Sequence, residues 1–495
     1  MLRSIRLKNF RSLRDTGEVE LRPIVLLVGA NSSGKSSFLR FFPLLKQTVN
    51  ANSHSPLLWY LDNADVDFGD FRNALLRGAI EPWIEISSTE NDLQPVAFTS
   101  RVACGPDGRS YVQRFTVSCH GDTIELSAKA DSSIETLRLN GQELAPVEER
   151  LAPRLAGPVI RLEGTSIREL GVKLLTQKVW ECVHGRTGDD KLATIAESIE
   201  HGTSAHVLAT MGEPHGGDRR WQEYVASLSE DSAYVQEIKE RVFLRDVASY
   251  IRALEALLTH YAQGVRYLGP FRRPPQRFYR RTELATDEID RDGSNLAMFL
   301  DSLSANDSEA FSSWLRLNFG FGVHTERHGA HASLMIDTGP DRGFNLMDMG
   351  FGMSQLLPVV AQCWLSSRQL RSSQVPLFWD RSRAALPGAP PTMIAVEQPE
   401  LHLHPQHQAQ LADMFRSTVN ATRDIGQPVC LCIETHSEAM IYRFGELVES
   451  GELRREDISI LFFEKHPDKD ESSVRQIEFG ADGVLQGWPI GFFRG

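Results

Sequence analysis

Hydrophobic and polar residues alternate over the first ten positions of the chain, and this pattern predicts a β-strand over residues 1–10. A short apolar run at Val19–Leu21 is expected to lie beside that strand. The run Ile24–Val28 is apolar throughout and rich in β-branched residues, which predicts a buried strand. Apolar positions then recur at helical spacing from Phe38 onward. Pro43 is expected to end or kink this helix, because proline lacks the N–H that a helix needs.

The middle of the chain divides into a β-rich part and a helical part. Residues 80–145 alternate short β-like runs with turns, which predicts an antiparallel meander. The clearest runs are Trp83–Ile86, Val96–Val102, Tyr111–Val117 and Thr123–Leu126. Residues 150–215 show no consistent period. Apolar residues at spacings of three and four predict helix over residues 219–263, either as two helices or as one long bent helix.

Helices and strands also alternate toward the end of the chain. Residues 294–319 and 353–370 have helical patterns, and residues 331–337 form a predicted strand. The segment 378–391 is predicted to be a surface excursion, because it combines Gly and Pro with charged residues.

Two short apolar runs near the C-terminal end predict buried strands, at Met393–Val396 and Val429–Ile433. A helix is expected after Pro405, and a second helix is expected to begin at Ser437, a residue type that caps helices. This mixture of buried strands and helices predicts an α/β fold.

A phosphate-binding loop is predicted where the strand at Ile24–Val28 ends. The segment from Gly29 to Ser36 fits G-x-x-x-x-G-K-[ST], and it lies between a predicted strand and a predicted helix. Its glycines let successive N–H groups point at one spot, which makes an anion nest at a helix N-terminus. Lys35 is expected to reach the β- and γ-phosphates of ATP, and the Ser36 hydroxyl to bind Mg²⁺. The predicted nucleotide-binding residues are Gly29, Ala30, Asn31, Ser32, Ser33, Gly34, Lys35, Ser36 and Ser37.

A second part of the site is predicted at the ends of the two later strands. The strand at Met393–Val396 runs into Glu397, and a carboxylate at a strand end is the Walker B element of a phosphate-loop ATPase. Glu397 is therefore the predicted metal-side carboxylate opposite Ser36. His436 follows the strand at Val429–Ile433 and is a candidate sensor of the γ-phosphate.

Composition narrows the class of protein. With 495 residues the chain can bury a large core, and a net charge of −12 excludes a whole-surface attraction to nucleic acid. DNA contact therefore needs a basic partner or a local basic patch. The densest basic and aromatic run is residues 271–281, for which a solvated or phosphate-facing loop is at least as good an interpretation as DNA binding. The six cysteines form no disulfide pattern, and no apolar run approaches membrane length. A cytoplasmic protein without a membrane role is expected.

Several motifs, in order, resemble those of ABC-type ATPases of the RecF/SMC branch, close to the ATPase part of the overcoming-lysogenization-defect proteins. The segments that carry the resemblance are IRLKNFRS at 5–12, the phosphate loop, GFGMSQLLP at 350–358, EQPELHLHP at 397–405, ETHS at 434–437 and WPIGFF at 488–493. The stretch at 267–270, YLGP, is a weaker similarity. The resemblance spans nearly the whole chain, although residues 85–220 carry little of it.

The resemblance implies an architecture and an assembly. It implies a P-loop ABC-type ATPase head with an antiparallel β subdomain and a helical lobe that carries the signature. The expected segments are 1–145 (the phosphate loop and β subdomain), 146–345 (a largely helical lobe) and 346–495 (the signature, Walker B and switch histidine). It also implies a homodimer or higher oligomer, in which Gly352 and Ser354 of one subunit complete the partner's ATP site.

Two departures from the family pattern concern turnover. The usual L-S-G-G signature is absent, and Gln398 follows Glu397 where many ABC ATPases have a glutamate. A glutamine can orient water but cannot accept its proton. Hydrolysis is therefore expected to be slow, or Glu400 or His436 assists it.

The expected function is an Mg²⁺-dependent ATPase whose ATP-bound dimer controls a separately encoded effector such as a nuclease, in bacterial anti-phage defence or DNA maintenance. One alternative is an ATP-gated binding or scaffold module with little or no turnover. Another is intrinsic metal-dependent nuclease activity, with candidate ligands in the pattern His402, His404 and His407 or in Asp468 and Asp470.

Overall fold

The structure is a computed structural model. It describes residues 2–51, 53–81, 83–90, 96–152, 157–183, 185, 187–213, 218–282, 286–339, 343–368, 391–424, 426, 429–466 and 468–488. The predicted surface excursion at 378–391 therefore lies almost wholly outside the described residues, as do positions 369–370 of the helix predicted over 353–370 and most of the C-terminal WPIGFF motif.

The strands, in chain order, are β1 (Leu2–Phe10), β2 (Leu13–Asp15), β3 (Val19–Glu20), β4 (Ile24–Gly29), β5 (Trp83–Glu90), β6 (Val96–Cys104), β7 (Ser110–Cys119), β8 (Asp122–Ala128), β9 (Ile134–Leu139), β10 (Gln142–Glu143), β11 (Val265–Leu268), β12 (Tyr279–Arg280), β13 (Gly322–His328), β14 (His331–Asp337), β15 (Gly343–Asn345), β16 (Met393–Glu397), β17 (Cys430–Glu434), β18 (Ile458–Lys465), β19 (Ser472–Phe479) and β20 (Leu485–Gln486).

The helices are α1 (Lys35–Ala51), α2 (Phe71–Ala74), α3 (Ser166–Trp180), α4 (Asp189–Ser198), α5 (Ser204–Met211), α6 (Arg219–Val225), α7 (Ala233–Gln263), α8 (Leu296–Ser302), α9 (Ala305–Phe319), α10 (Phe351–Arg368), α11 (Pro405–Asp424) and α12 (Glu438–Glu449). Short 3-10 turns at Leu346–Asp348 and Arg455–Asp457 precede α10 and β18.

The large sheet joins a parallel centre to an antiparallel flank. In the part of the chain that is described, it has 16 strands, and its main path runs β10-β9-β8-β7-β6-β5-β1-β2-β19-β18-β4-β17-β16-β11. The strands from β18 to β11 are parallel to one another. The strands β5 to β10 form the antiparallel meander. A second sheet, of four strands, contains β12 to β15. The predicted α/β fold with an antiparallel β subdomain is confirmed.

Strand order explains where a site can form. The strand β4 leads into the phosphate loop, β17 lies beside it, and β16 lies beside β17. Because these strands are parallel, their carboxyl ends meet at one edge of the sheet. Glu397 and Glu434, the last residues of β16 and β17, are direct register partners there.

Alternation along β4 divides the core between the two faces of the sheet. Val25 and Leu27 belong to the cluster that includes the apolar residues of α1 and α7. Ile24, Leu26 and Val28 belong to the cluster that includes those of α10, α11 and α12. The phosphate-loop strand is thus buried on both faces, as its uninterrupted apolar sequence predicts.

Most elements near the site agree with the sequence predictions. The N-terminal strand, its pairing with β3, the meander, β14, β16, β17 and the helix after Pro405 are confirmed. Ser437 caps α12, as predicted, and its side chain accepts a hydrogen bond from the Met440 N–H. Pro43 was predicted to end or kink the first helix, and it does not end it, because α1 continues to Ala51. The apolar face of α1 is buried in the core, and this packing outweighs one missing backbone hydrogen bond. A kink at Pro43 stays a prediction.

The structure decides between the two helical arrangements that the sequence allowed for the helical lobe. Residues 219–263 form two helices, the short α6 and the 31-residue α7. The region 150–215, for which the sequence predicted no element, contains α3, α4 and α5, which pack with α7 around a separate apolar cluster. The strands of segments 1–145 and 346–495 share the large sheet, and the segment boundaries themselves stay a prediction.

Candidate nucleotide-binding site

The phosphate loop connects β4 to α1, and its backbone conformation requires glycine at two positions. Gly29 and Gly34 have φ angles of 155° and 96°, in the region that side chains disfavour. A Cβ atom on Gly34 would lie 2.6 Å from the Ser12 Oγ and 2.7 Å from a Leu13 methyl carbon. The loop therefore packs closely against the turn after β1, and this turn belongs to the N-terminal FRS motif.

Lys35 is the first residue of α1, and its side chain folds back over the loop. The Lys35 ammonium donates hydrogen bonds to the carbonyl oxygens of Gly29 and Ala30, at 3.0 and 2.7 Å. Burial lowers the pKa of this ammonium, although the nearby carboxylates of Glu434 and Glu400 oppose that effect. A fixed cation is thus held at the centre of the anion nest.

The nest opens into a cavity of about 710 Å³. The loop residues from Asn31 to Ser37 form one wall, and Gln398 and Glu434 lie at the ends of the neighbouring strands. The basic side chains that line it are Arg11, Lys35, Arg77 and Lys465. Its size falls in the range of ligand pockets, and its charge suits an anionic ligand.

Ser36 faces Glu434. The Ser36 hydroxyl donates a hydrogen bond of 2.7 Å to the Glu434 Oε2 atom, across 398 positions of sequence. Burial raises the pKa of Glu434 to about 7, against the opposing effect of the Ser36 hydrogen bond, and the charge of Glu397 raises it further. The sequence predicted that Glu397 would stand opposite Ser36, and in the structure Glu434 takes that place. The role of Glu397 as a metal ligand stays a prediction.

Glu397 is held by three donors. Its two carboxylate oxygens accept a bidentate pair of hydrogen bonds from Arg40, at 2.6 and 2.7 Å. The Tyr267 hydroxyl donates a third, at 2.8 Å. The Glu397 side chain is 3% exposed, so this ion pair is shielded from solvent on the carboxylate side.

Arg272 fixes the backbone at the same strand end. Its guanidinium donates to the Glu397 carbonyl oxygen at 2.8 Å, and its own carbonyl accepts from Gln355 of α10. Burial lowers the pKa of Arg272 to about 10. Arg272 thus connects the helix that carries the predicted signature to the Walker B strand.

Gln398 lies in the cavity wall with a strained backbone. Its φ of 45° is in the left-handed region, which residues other than glycine rarely adopt. Its N–H donates to the Glu434 carbonyl oxygen at 2.8 Å, which holds the turn against β17. Backbone strain of this kind is concentrated at functional sites.

Glu400 and His436 are joined through the backbone. The Glu400 carboxylate accepts a 2.7 Å hydrogen bond from the His436 N–H and is itself buried, and burial raises its pKa. The His436 side chain is exposed and lies outside the cavity wall. Glu400 therefore holds the backbone turn at His436, whereas the role of His436 as a switch histidine and a contact of either side chain with the attacking water stay predictions.

The predicted signature lies apart from the loop cavity of its own chain. Gly352 packs so closely against the Walker B turn that a Cβ there would lie 2.5 Å from the His402 carbonyl oxygen. Ser354 is buried, and its hydroxyl donates to the Phe351 carbonyl within the first turn of α10. The exposed Phe351 ring contacts His402 edge-on. A role of Gly352 and Ser354 in a partner's site stays a prediction.

The two nuclease patterns do not assemble a metal site among the described residues, where no group of three or more His, Cys, Asp or Glu side chains is placed to hold an ion. His407 instead hydrogen-bonds Gln410 at 2.7 Å. Asp470 belongs to the hairpin between β18 and β19 and lines the loop cavity.

The basic run at 271–281 is largely engaged in ion pairs. Arg273, Arg277 and Arg281 pair with Asp292, Asp348 and Asp301, respectively. DNA contact through this run stays a prediction. Within the described residues, no helix combines the length and the apolarity that a membrane-spanning segment requires.

Sequence reasoning missed the residues that surround the strand ends. Glu434, Arg40, Tyr267 and Arg272 were not predicted as site residues. One signal was available for Arg40, because Ser36 and Arg40 are four positions apart and so share a helix face.

Comparisons with known proteins bear on this site. The sequence matches the family described as "AAA ATPase domain" over residues 1–93 and 251–441. No curated protein matches it significantly. The intervening residues, which contain most of the meander and the helices α3 to α6, lie outside the family match.

Solved structures of SMC heads are distantly similar. One is an SMC head bound to the C-terminal winged-helix domain of ScpA, with 11% identity, coverage of 96% of this chain and 97% of that chain, and a TM-score of 0.37. Another is an SMC head with an extended coiled coil from Pyrococcus furiosus, bound to the C-terminal domain of ScpA, with 12% identity, 96% coverage of both chains and a TM-score of 0.37. A third, from Thermotoga maritima, has 9% identity, coverage of 96% and 98%, and a TM-score of 0.36.

Proposed function

Because the chain belongs to the family of AAA ATPase domains, we propose that it is an ATP-driven switch, whose ATP-bound dimer controls a separate effector. ATP binding and hydrolysis follow from the family. The dimer, the effector and a role in bacterial anti-phage defence or DNA maintenance are the proposal. They are supported by the resemblance of the motifs to those of the overcoming-lysogenization-defect proteins.

The observation that carries the proposal is the cavity over the phosphate loop. Its wall holds the buried Lys35 ammonium, the N–H groups of the loop and the Ser36 hydroxyl. Lys35 now satisfies its charge with two loop carbonyls, which are weaker partners than a phosphate oxygen. A triphosphate would therefore draw the ammonium toward itself without any change in the loop backbone.

The residues at the strand ends fit Mg²⁺. This hard cation prefers oxygen ligands and is usually bound through one or two carboxylates together with substrate phosphates. The Ser36 hydroxyl and the Glu434 carboxylate, at the end of the neighbouring strand, supply oxygen atoms of that kind. When bound, the ion would neutralise charge on the β- and γ-phosphates.

Turnover is proposed to be slow. Gln398 occupies the turn after Glu397 and lines the cavity, and its amide can orient a water molecule but cannot take its proton. Glu400 is buried beneath His436 and bonded to its backbone. The same observation favours the second candidate function, an ATP-gated binding module that releases little or no phosphate.

ATP is proposed to act by shifting an association equilibrium. The phosphate loop covers a triphosphate from one side, and the N-terminus of α10 on a second subunit would supply donors from the other side. ATP favours the closed dimer only by its differential affinity for that state. The closed dimer then presents a surface to the effector that the separate subunits lack.

A phosphate-release assay on the purified chain distinguishes the two candidates. The switch with turnover predicts phosphate release that requires Mg²⁺ and is lost in Lys35→Ala. Tight ATP binding with no release above the Lys35→Ala background would support the binding module. A wild-type chain that binds no ATP would overturn both.

A further inference from the structure

We infer that Glu434 is the carboxylate that stands with Ser36 at the metal side of the nucleotide site, and that Glu397 instead fixes helix α1 against the sheet. This inference rests on the proposed function, because it concerns the Mg²⁺ that accompanies ATP. Glu434 is the first residue of the ETHS segment. The sequence pattern assigned the metal-side carboxylate to Glu397, at the end of the predicted Walker B strand, instead.

The geometry comes from the match between one helix face and two strand ends. Ser36 and Arg40 are one turn apart on α1, and Glu434 and Glu397 are register partners on adjacent parallel strands. Ser36 therefore meets Glu434, at 2.7 Å, and Arg40 meets Glu397, at 2.6 and 2.7 Å. Exchanging the two carboxylates would require α1 to rotate or slide over the sheet.

The two carboxylates differ in what they still have to offer a cation. Both oxygens of Glu397 already accept hydrogen bonds, from Arg40 and Tyr267, and the Arg40 charge neutralises the group. Binding of an ion there would have to displace the guanidinium. The Glu434 carboxylate instead lines the loop cavity and accepts from a serine hydroxyl, which can itself bind a cation through its oxygen.

The distance between the two oxygen atoms suits a shared ion. Mg²⁺ binds oxygen at about 2.0–2.1 Å in octahedral geometry, so neighbouring ligands lie roughly 2.9 Å apart. The Ser36 Oγ and the Glu434 Oε2 are 2.7 Å apart. The backbone of Glu434 is held as well, because its N–H and carbonyl groups lie in the ladder between β4 and β16 and its carbonyl accepts from Gln398.

The test separates metal binding from nucleotide binding. A fluorescent ATP analogue, N-methylanthraniloyl ATP, is titrated into the full chain in EDTA and then at increasing Mg²⁺ concentrations. Glu434→Gln keeps the size of the side chain but removes its charge. Glu471→Gln is the matched control, because Glu471 pairs with Arg14 and Lys469 on the neighbouring hairpin outside the cavity wall.

In EDTA, Glu434→Gln is expected to bind the analogue at least as tightly as the wild type, because the variant removes the carboxylate charge that repels the triphosphate when no Mg²⁺ is present. The Mg²⁺ concentration that gives the half-maximal gain in affinity should rise roughly tenfold or more. Glu471→Gln should keep the wild-type Mg²⁺ dependence. Glu434→Asp, which keeps the charge but has a shorter reach, should fall between wild type and Glu434→Gln, and it carries the test if Glu434→Gln does not fold.

Two failures have different meanings. If the wild type gains affinity with Mg²⁺ and the Glu434 variants gain it at the same concentrations, the inference is wrong and the proposed function stands. If the wild type binds the analogue neither with nor without Mg²⁺, the proposed function itself fails.

Discussion

Arg40 binds Glu397 through two parallel hydrogen bonds, and this pair joins the helix of the phosphate loop to β16, the strand that ends at the predicted Walker B motif. The two residues are 357 positions apart in sequence. The pair sets the register between α1 and β16, and through it the position of Ser36 relative to the strand ends. We therefore expect nucleotide binding to depend on this contact.

Removing the guanidinium should destabilise the fold. In Arg40→Ala the Glu397 carboxylate stays buried with only Tyr267 as a side-chain donor, and we expect a loss of about 1–3 kcal/mol in the free energy of unfolding. Urea denaturation measures this loss. Arg219→Ala removes an arginine from an exposed pair with Glu223, at 91% and 65% exposure, and should cost no more than about 0.5 kcal/mol. Equal effects of the two changes would show that the Arg40 pair does not hold the helix.

Lys35→Ala should weaken ATP binding by at least about tenfold, which corresponds to 1.4 kcal/mol. The reason is that the loop loses its buried cation, while its backbone is retained by the glycines. Isothermal titration with ATP and Mg²⁺ measures the affinity. The control is Lys46→Ala on the same helix, where the lysine pairs with Glu288 and does not line the cavity. Undiminished binding by Lys35→Ala would mean that the loop is not the nucleotide site.

Gln398→Glu should increase phosphate release. A carboxylate in this cavity-lining turn can accept the proton of the attacking water, and general-base catalysis is typically worth on the order of a hundredfold or more. Single-turnover assays separate this step from nucleotide binding, and Gln398→Ala reports what the native amide contributes. If the glutamate lowered the rate, the water would be activated elsewhere, and Glu400→Gln would be the next variant.

The parts of the site that were predictable are contiguous in sequence. The phosphate loop was recognised because its chemistry lies in eight consecutive residues between a strand and a helix. The contact between Ser36 and Glu434 depends on β17 lying between β4 and β16. This strand order cannot be inferred from the spacing of residues in the sequence. Sequence pattern alone therefore assigned the place opposite Ser36 to Glu397.

Pro43 and the helical lobe show the other limit of local patterns. The intrinsic effect of proline predicted an end or a kink, but α1 packs against β11, β16 and β17 and continues through Pro43 to Ala51. The helices α3 and α5 have low amphipathic contrast, and α4 and α5 have only ten and eight residues. The helices α3 and α5 pack against α7, and α4 packs against α3. Such elements depend on tertiary contacts that a single sequence does not display.

The trans role of the signature needs a variant that leaves the subunit fold intact. Ser354 is buried and hydrogen-bonded, so an arginine there would disturb its own helix. Gly350 is a more suitable position for the substitution, because a Cβ atom there meets no atom within 4 Å. Gly350→Arg should bind ATP like the wild type but fail to associate, since it places a bulky cation beside the N-terminus of α10. Loss of ATP binding in the isolated Gly350→Arg subunit would remove this segment from the far side of the dimer.

The most direct test of the switch is the molar mass of the full chain, measured by light scattering with and without saturating ATP and Mg²⁺. The ATP-bound sample is the Gln398→Ala variant. It lacks the amide that is proposed to orient the attacking water, so the triphosphate should persist during the measurement. The account predicts that ATP doubles the mass, that Lys35→Ala keeps its ATP-free mass, and that Gly350→Arg binds ATP without any increase in mass. A mass that stays the same while ATP is demonstrably bound to the loop would contradict the account.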